Sequence, residues 1–327
     1  MQTWKQFNHI NANSITEAET ALAEKGAWVI AGGTDILGMM RFDILPHDMY
    51  PAVLVNLKDI TPSLDYIKEE NGMLKIGALA KLEDIAHNTM INEKYKALAQ
   101  AAHRTASPHI REMGTIGGNI CQVNRCWYFQ SHENRFHCLR KGGNMCWALP
   151  GDNRYHSIYG AMDGCIAVNP SDTAPALIAL NAKILTNKRT IDAVDFWVVK
   201  IPGSTILEKG EFVTEIQVPP LAVGAKSAFT KLALRKSIDF ALVNCAAVIG
   251  SNNYRICLNA VAPIPKRVTA SEDSIKDKTI DESSAEAAAI AGINDVMPMA
   301  AAGYNPGNRW KVSAAKGVLK QTILACK

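Results

Sequence analysis

Apolar positions in this chain fall in short blocks, and glycine or proline closes most of them. Ser14-Ile15-Thr16-Glu17-Ala18 and the alanine-rich run to Glu24 predict a first helix capped by Ser14, with Glu17 three positions on and Gly26 closing it. Trp28-Val29-Ile30 is a short apolar strand that runs into Ala31-Gly32-Gly33-Thr34-Asp35 and then the helix-compatible Ile36-Leu37-Gly38-Met39-Met40. Residues 52–57 and 73–78 predict two further strands, with a turn at Asn71-Gly72 between them. Residues 81–86 and 94–106 predict helices, the second ended by Pro108, and a second glycine pair, Gly117-Gly118, follows. Beyond Ser171 or Asp172 as N-cap, residues 173–180 predict a helix, 182–186 and 211–218 strands, and Pro219-Pro220 a break. The boundary between a first domain, 1–224, and a second, 225–327, is placed near Gly224. In the second domain, residues 228–234, 242–249 and 255–261 predict three antiparallel strands, and 283–291 and 310–325 helices. It contains no histidine and is expected to pack and dock rather than carry chemistry.

The fifty-eight residues from Thr115 to Asp172 break this rhythm. They hold five of the chain's eight cysteines and seven large aromatic rings between Trp127 and Tyr159, yet no helical or alternating apolar period runs through them. So long an irregular connection is uncommon unless functional or disordered, and this many rings do not belong to a solvated linker. A metal centre held by thiolates would fold it. Small buried hydrophobes are the plain alternative for cysteine, and that alternative fits Cys245 and Cys257, which lie in apolar strands.

Composition narrows the classes of function. The 327 residues allow two or three domains, and 48% hydrophobic with 20% charged residues is the composition of a soluble globular protein. A net charge of +4 with no basic run gives no reason to expect nucleic acid as a partner. No run of about 18 apolar residues exists for a membrane span, and the first residues lack the apolar core of a signal peptide, so the expected location is the cytoplasm unless the chain is exported with a signal-bearing partner. Eight cysteines are too few for a disulfide scaffold at this length. There is no HExxH, no catalytic triad and no GxGxxG, so no nicotinamide site is expected. A glycine pair after a strand is usually only a turn, but it also lets backbone N–H groups approach an anion, and two such pairs converging on one ligand would carry more weight than either alone.

Taken together, Ala31-Gly32-Gly33-Thr34-Asp35, Thr115-Ile116-Gly117-Gly118-Asn119 and Pro170-Ser171-Asp172, in this order and spacing, resemble the flavin-binding medium subunit of the molybdenum hydroxylases, the xanthine dehydrogenase and carbon monoxide dehydrogenase family. The tail from Lys231 through Arg235, Asp239 and Val243 to Val261-Ala262-Pro263 and Arg267 extends the resemblance over nearly the whole chain. It implies an α+β fold: a two-lobed FAD-binding domain of the PCMH type, then a smaller α+β domain with a three-stranded antiparallel sheet and helices. It also implies that Ile30, Ala31, Gly32, Gly33, Thr34, Asp35 and Ile36 wrap the pyrophosphate of FAD. Thr115, Gly117, Gly118 and Asn119 would hold the diphosphate and ribityl portion, and Asp172 the sugar or adenine end. A plain helix N-cap is the competing role for Asp172.

Within that family the cysteine segment is similar to the branch that includes 4-hydroxybenzoyl-CoA reductase and the bacterial periplasmic aldehyde oxidoreductase, whose flavin subunits carry a further [4Fe-4S] cluster. The resemblance assigns its ligands to Cys126, Cys138, Cys146 and Cys165, inside an insertion at about 122–166. The intervals of 11, 7 and 18 residues are unlike the compact ferredoxin run, and Cys121 stands close enough to leave the ligand choice open. The expected function is an oxidoreductase subunit without catalytic residues of its own. Electrons would pass among the [2Fe-2S] clusters of a small subunit, FAD and the [4Fe-4S] cluster to an external carrier such as ferredoxin. Substrate would turn over on a large molybdenum-cofactor subunit of a heterotrimer. The rivals are a zinc-stapled, cofactor-free interaction protein, with His132, His137 and His156 as added ligands, and a stand-alone flavoenzyme of the same fold.

Overall fold

The computed structural model describes residues 5–236, 238–250, 253–303 and 305–327. Its first lobe is a parallel sheet of β1 (Asn8–Asn11), β2 (Ala27–Ile30) and β3 (Val53–Asn56) in the order β1-β3-β2. The central strand β3 is buried at every position, which is why it reads as a continuous apolar block rather than an alternating one. Helix α1 (Ile15–Leu22) links β1 to β2 and begins as its sequence predicts, with Ser14 Oγ accepting from the Glu17 N–H at 3.1 Å. Helix α2 (Ile36–Arg41) follows the first glycine pair.

The second lobe is an antiparallel sheet of β4 (Ile67–Glu70), β5 (Met73–Gly77), β6 (Lys183–Thr186), β7 (Thr190–Asp192) and β10 (Val213–Val218), in the order β4-β5-β10-β6-β7. The small hairpin β8 (Trp197–Lys200) and β9 (Gly203–Thr205) stands apart from it. Against the sheet pack α3 (Leu82–His87), α4 (Thr89–Lys94), α5 (Lys96–His103), α7 (Ile116–Cys121), α8 (Thr173–Ala179) and α9 (Ala193–Phe196), while α6 (Pro108–Arg111) lies beside α3.

Three sequence expectations need correction here. The turn at Asn71-Gly72 joins β4 to β5, not residues 52–57 to 73–78, which lie in different sheets; the charged Ile67–Glu70 is an edge strand with little apolar signal. The helix expected over 94–106 is shorter at both ends, Lys96–His103: Tyr95, with a buried side chain, leaves helical geometry (φ −132°, ψ 49°) and separates it from α4, which ends at Lys94. Pro108 begins a helix instead of ending one: Ser107 caps α6 and proline occupies the first turn, where its missing N–H costs nothing.

The C-terminal sheet contains β11 (Lys226–Leu232), β12 (Val243–Gly250) and β13 (Asn253–Asn259), as expected, and a two-residue fourth strand, β14 (Lys266–Arg267), which was not. Helices α10 (Thr269–Ile275), α11 (Glu282–Ala291) and α12 (Trp310–Leu324) cover one face. Alternation along β12 sends Val243, Cys245, Ala247 and Ile249 into that core, and Ala246 and Val248 into the core shared with α5 and α8. Cys245 and Cys257 are fully buried on opposite faces of this sheet, as apolar side chains. Among the described residues no helix is long and apolar enough to cross a membrane.

Candidate functional site

Both glycine pairs open onto one cavity of about 620 Å³, within the range of small-molecule sites. Ile30 through Ile36, Thr115, Gly117, Gly118, Asn119 and Asp172 all line it. Gly32 is there because nothing larger fits: a Cβ would lie 1.9 Å from the carbonyl oxygen of Met113. Gly33 turns the chain through φ +71°, a conformation that favours glycine. Among the described residues the N–H groups of Gly32, Gly33 and Thr34 reach no acceptor, so this loop presents free donors to the cavity.

The second pair is built differently. Thr115 Oγ1 accepts from the Gly118 N–H at 3.1 Å, and the Gly117 N–H donates to Ala78 O at 2.9 Å. Those N–H groups are spent inside the protein. What this pair supplies is close packing, since a Cβ on Gly117 would lie 2.9 Å from Ala78 O. Asn119 Oδ1 accepts from Ser171 Oγ (2.6 Å) and Thr173 Oγ1 (2.7 Å), which ties α7 to the start of α8. Ser171, one of the two expected caps, accepts from the Ala174 N–H at 3.2 Å.

Asp172 has both carboxylate oxygens engaged by the C-terminal domain: Lys231 Nζ donates to one at 2.6 Å and Asn244 Nδ2 to the other at 2.6 Å. Burial pushes its carboxyl up, and the Lys231 ammonium offsets that rise only in part. Asp35 accepts from the Val123 N–H (3.0 Å) and pairs with Arg125 at 2.7 Å. Arg125, stacked on Phe240, and the neighbouring Ile238 and Asp239 complete the wall. The second domain therefore contributes directly to the cavity, contrary to its expected role as a packing module. Sequence reading missed Arg125 and Phe240, which belong to no motif.

A second, small pocket lies beside the first, and Cys126, Cys138, Cys146 and Cys165 all line it, with Tyr128, Phe129, Leu139, Trp147 and Ala148. Cys121 lines the large cavity instead. The cysteine loop folds on ring contacts, Tyr128 on Phe136 at 5.1 Å and Phe136 on Trp147 at 5.5 Å, and on close approaches at glycine. At Gly143 a Cβ would lie 2.1 Å from His137 O. Lys311 Nζ of α12 donates to Tyr155 O and His156 O (2.8 and 3.2 Å), clasping the loop from the second domain. Burial pushes the Cys126 thiol up to about 12 and raises that of Cys138. Among the described residues no three His, Cys, Asp or Glu side chains converge as they would on a single metal ion.

Sequence comparison decides the family. Residues 5–221 match the family described as the FAD binding domain in molybdopterin dehydrogenase, and residues 228–324 the CO dehydrogenase flavoprotein C-terminal domain. The chain belongs to the FAD-binding flavoproteins of the molybdopterin dehydrogenases. Among this family, the aldehyde oxidoreductase FAD-binding subunit PaoB of Escherichia coli is 34% identical over 284 residues, 82% of this chain and 85% of that one. The carbon monoxide dehydrogenase medium chain of Hydrogenophaga pseudoflava is 27% identical over 300 residues, 88% and 86% of the two chains. A solved structure of carbon monoxide dehydrogenase from that organism, lacking the Mo-pyranopterin moiety of its cofactor, superposes with a TM-score of 0.75 at 25% identity, covering 99% of this chain and 98% of the other. As a member of this flavoprotein family the chain is an oxidoreductase subunit whose cofactor is FAD.

Proposed function

We propose that this chain is the electron-transfer subunit of a molybdenum-containing hydroxylase or dehydrogenase, with FAD in the large cavity and a [4Fe-4S] cluster in the small one. One observation carries the reading. The segment from Val123 to Cys126 is a partition one chain thick: Val123 and Arg125 line the large cavity, while Asn124 and Cys126 line the small one. Two redox groups placed on its two sides would be close neighbours.

The residues fit both groups. On the FAD side, the free N–H groups of Gly32, Gly33 and Thr34 suit the dianionic pyrophosphate, and Ile30 to Ile36 would wrap it. Thr115, Gly117, Gly118 and Asn119 would shape the channel for the ribityl chain through packing, and Arg125 would add positive charge beside Asp35. Asp172 would act here chiefly as the anchor that brings Lys231 and the second domain onto the site. When bound, FAD supplies the electron chemistry; the protein binds, orients and excludes water.

On the cluster side, the reading is supported by Cys126, Cys138, Cys146 and Cys165 lining one small apolar pocket while Cys121 lines the other cavity. The domains we assign are 1–224, with the cluster insertion at about 122–166, and 225–327. Partners would be a large molybdenum subunit, a small [2Fe-2S] subunit and an external carrier such as ferredoxin. Replacing Cys138 or Cys146 by Ser tests the cluster: iron per chain should fall sharply while FAD is retained. Unchanged iron in both variants would refute the ligand set.

A further inference from the structure

Three buried nitrogen-bearing side chains, Arg140, His156 and Lys141, lie against residues that line the cysteine pocket. Arg140 is 3% exposed, and its Nε points at Cys165 Sγ at 3.1 Å while Nη1 is held by Gly203 O (2.8 Å) and Ser204 Oγ (2.9 Å) of the β8–β9 hairpin. His156 is 4% exposed, with Nε2 3.2 Å from Cys126 Sγ. Toward an iron-bound thiolate, which only accepts, Nε2 would carry the proton. Lys141 is 1% exposed, and among the described residues its Nζ meets no hydrogen-bond partner at all. It sits 5.5 Å from the centre of the Phe129 ring, and that ring lines the pocket.

An unpaired buried ammonium is costly unless a negative charge lies nearby. Among the described residues Lys141 Nζ has no partner; burial lowers its pKa, and negative charge on Cys138 or Cys126, as metal-bound thiolates would carry, acts in the opposite sense. Four cysteine thiolates around a [4Fe-4S] core give a net anion in this apolar pocket. We propose that Lys141 is the built-in counter-charge of that centre and that, with the N–H groups of Arg140 and His156 on two ligand sulfurs, it raises the centre's reduction potential. The inference rests on the cluster reading above. Its physical basis is simple: reduction adds one more negative charge to a buried group, and a fixed cation in low dielectric stabilises the reduced form more than the oxidised one.

The test is an EPR-monitored redox titration of the full chain as purified, with iron and FAD assayed on each sample, for the unsubstituted protein, Lys141→Arg, Lys141→Met and Lys141→Gln. The two neutral variants should keep their iron but show at least a tenfold loss in the equilibrium constant for cluster reduction, a fall of about 59 mV for one electron. Lys141→Arg should stay near the unsubstituted value, and the FAD potential should not move in any variant. Loss of iron from Met and Gln but not Arg would also support the counter-charge role. Full iron with an unchanged potential in Lys141→Met overturns it, as does equal loss of iron from Arg and Met variants, which would make the role one of packing. Absence of iron from the unsubstituted chain is a separate result that removes the cluster itself.

Discussion

Gly32 shows how much one missing side chain can decide. Its Cα faces Met113 O so closely that a methyl would stand 1.9 Å from the oxygen, and the backbone there is one whose N–H lines the cavity without an acceptor. Gly32→Ala therefore has to push the loop off Met113 and Gly114 and spoil the anion cradle together. We expect the purified variant to lose most of its FAD, measured as the ratio of flavin absorbance to protein; a full complement of flavin would mean that the cradle lies elsewhere. This glycine was visible in the sequence because strand, glycine pair and helix follow one another. Residues such as Arg125 and Phe240 were not, because their place depends on contacts between segments more than a hundred positions apart, Arg125 on Phe240 among them.

Among the elements, α3 and α6 decide how the Met113–Thr115 stretch is presented to Gly32. Arg111 of α6 is buried, donates to Glu83 of α3 at 2.5 Å and to Thr105 O at 3.1 Å, and so fixes the turn that leads to Gly114. The Arg111 guanidinium holds the Glu83 carboxyl below the usual carboxylate range of about 4.5. A carboxyl depressed in the folded state gives stability that is present above its unfolded value and is lost as pH falls through the folded one. The difference in denaturant midpoint between the unsubstituted chain and Glu83→Gln should therefore be largest near pH 6–7 and shrink as pH drops below about 4.5. A difference that stays constant down to pH 3 would remove the charge from the explanation.

Elements with caps and strong apolar blocks, such as α1 and β3, were legible for the reasons a helix or buried strand forms at all. The edge strand Ile67–Glu70 and the short hairpin Trp197–Thr205 were not, since partners rather than local composition make them strands. The break at Tyr95 escaped notice for a similar reason: its side chain is buried and its backbone leaves helical geometry inside a run that local preference would make one continuous helix.

On the scale of the whole molecule, the second domain lines the large cavity and clasps the back of the cysteine loop. Lys231 and Asn244 grip Asp172, Asn259 Nδ2 donates to Ser171 O at 2.8 Å, and Lys311 and Asn308 hold the carbonyls of 155–157 behind the cysteine loop. The sheet Lys226–Arg267 is thus a shared wall, with one face on the flavin domain and the other on α10–α12. This explains why the cysteine loop, irregular in sequence, holds one shape: rings, glycine contacts and a clasp from the far end of the chain take the place of a periodic core. The density of cysteines and rings in the loop was legible in the sequence, but the partition at Val123–Cys126 appears only once both cavities are built.

The proposed reading places two redox groups on the two sides of that partition. An anaerobic absorbance spectrum of the purified full chain, with FAD, iron and zinc assayed on the same sample, addresses it at once. About one FAD and about four irons per chain, the latter bleaching on reduction with the flavin, is the expected result for a family member whose four thiols hold a [4Fe-4S] cluster. FAD with zinc would contradict it in favour of a zinc staple, and FAD with no metal under anaerobic reconstitution would contradict it and leave the small pocket as an ordinary piece of core.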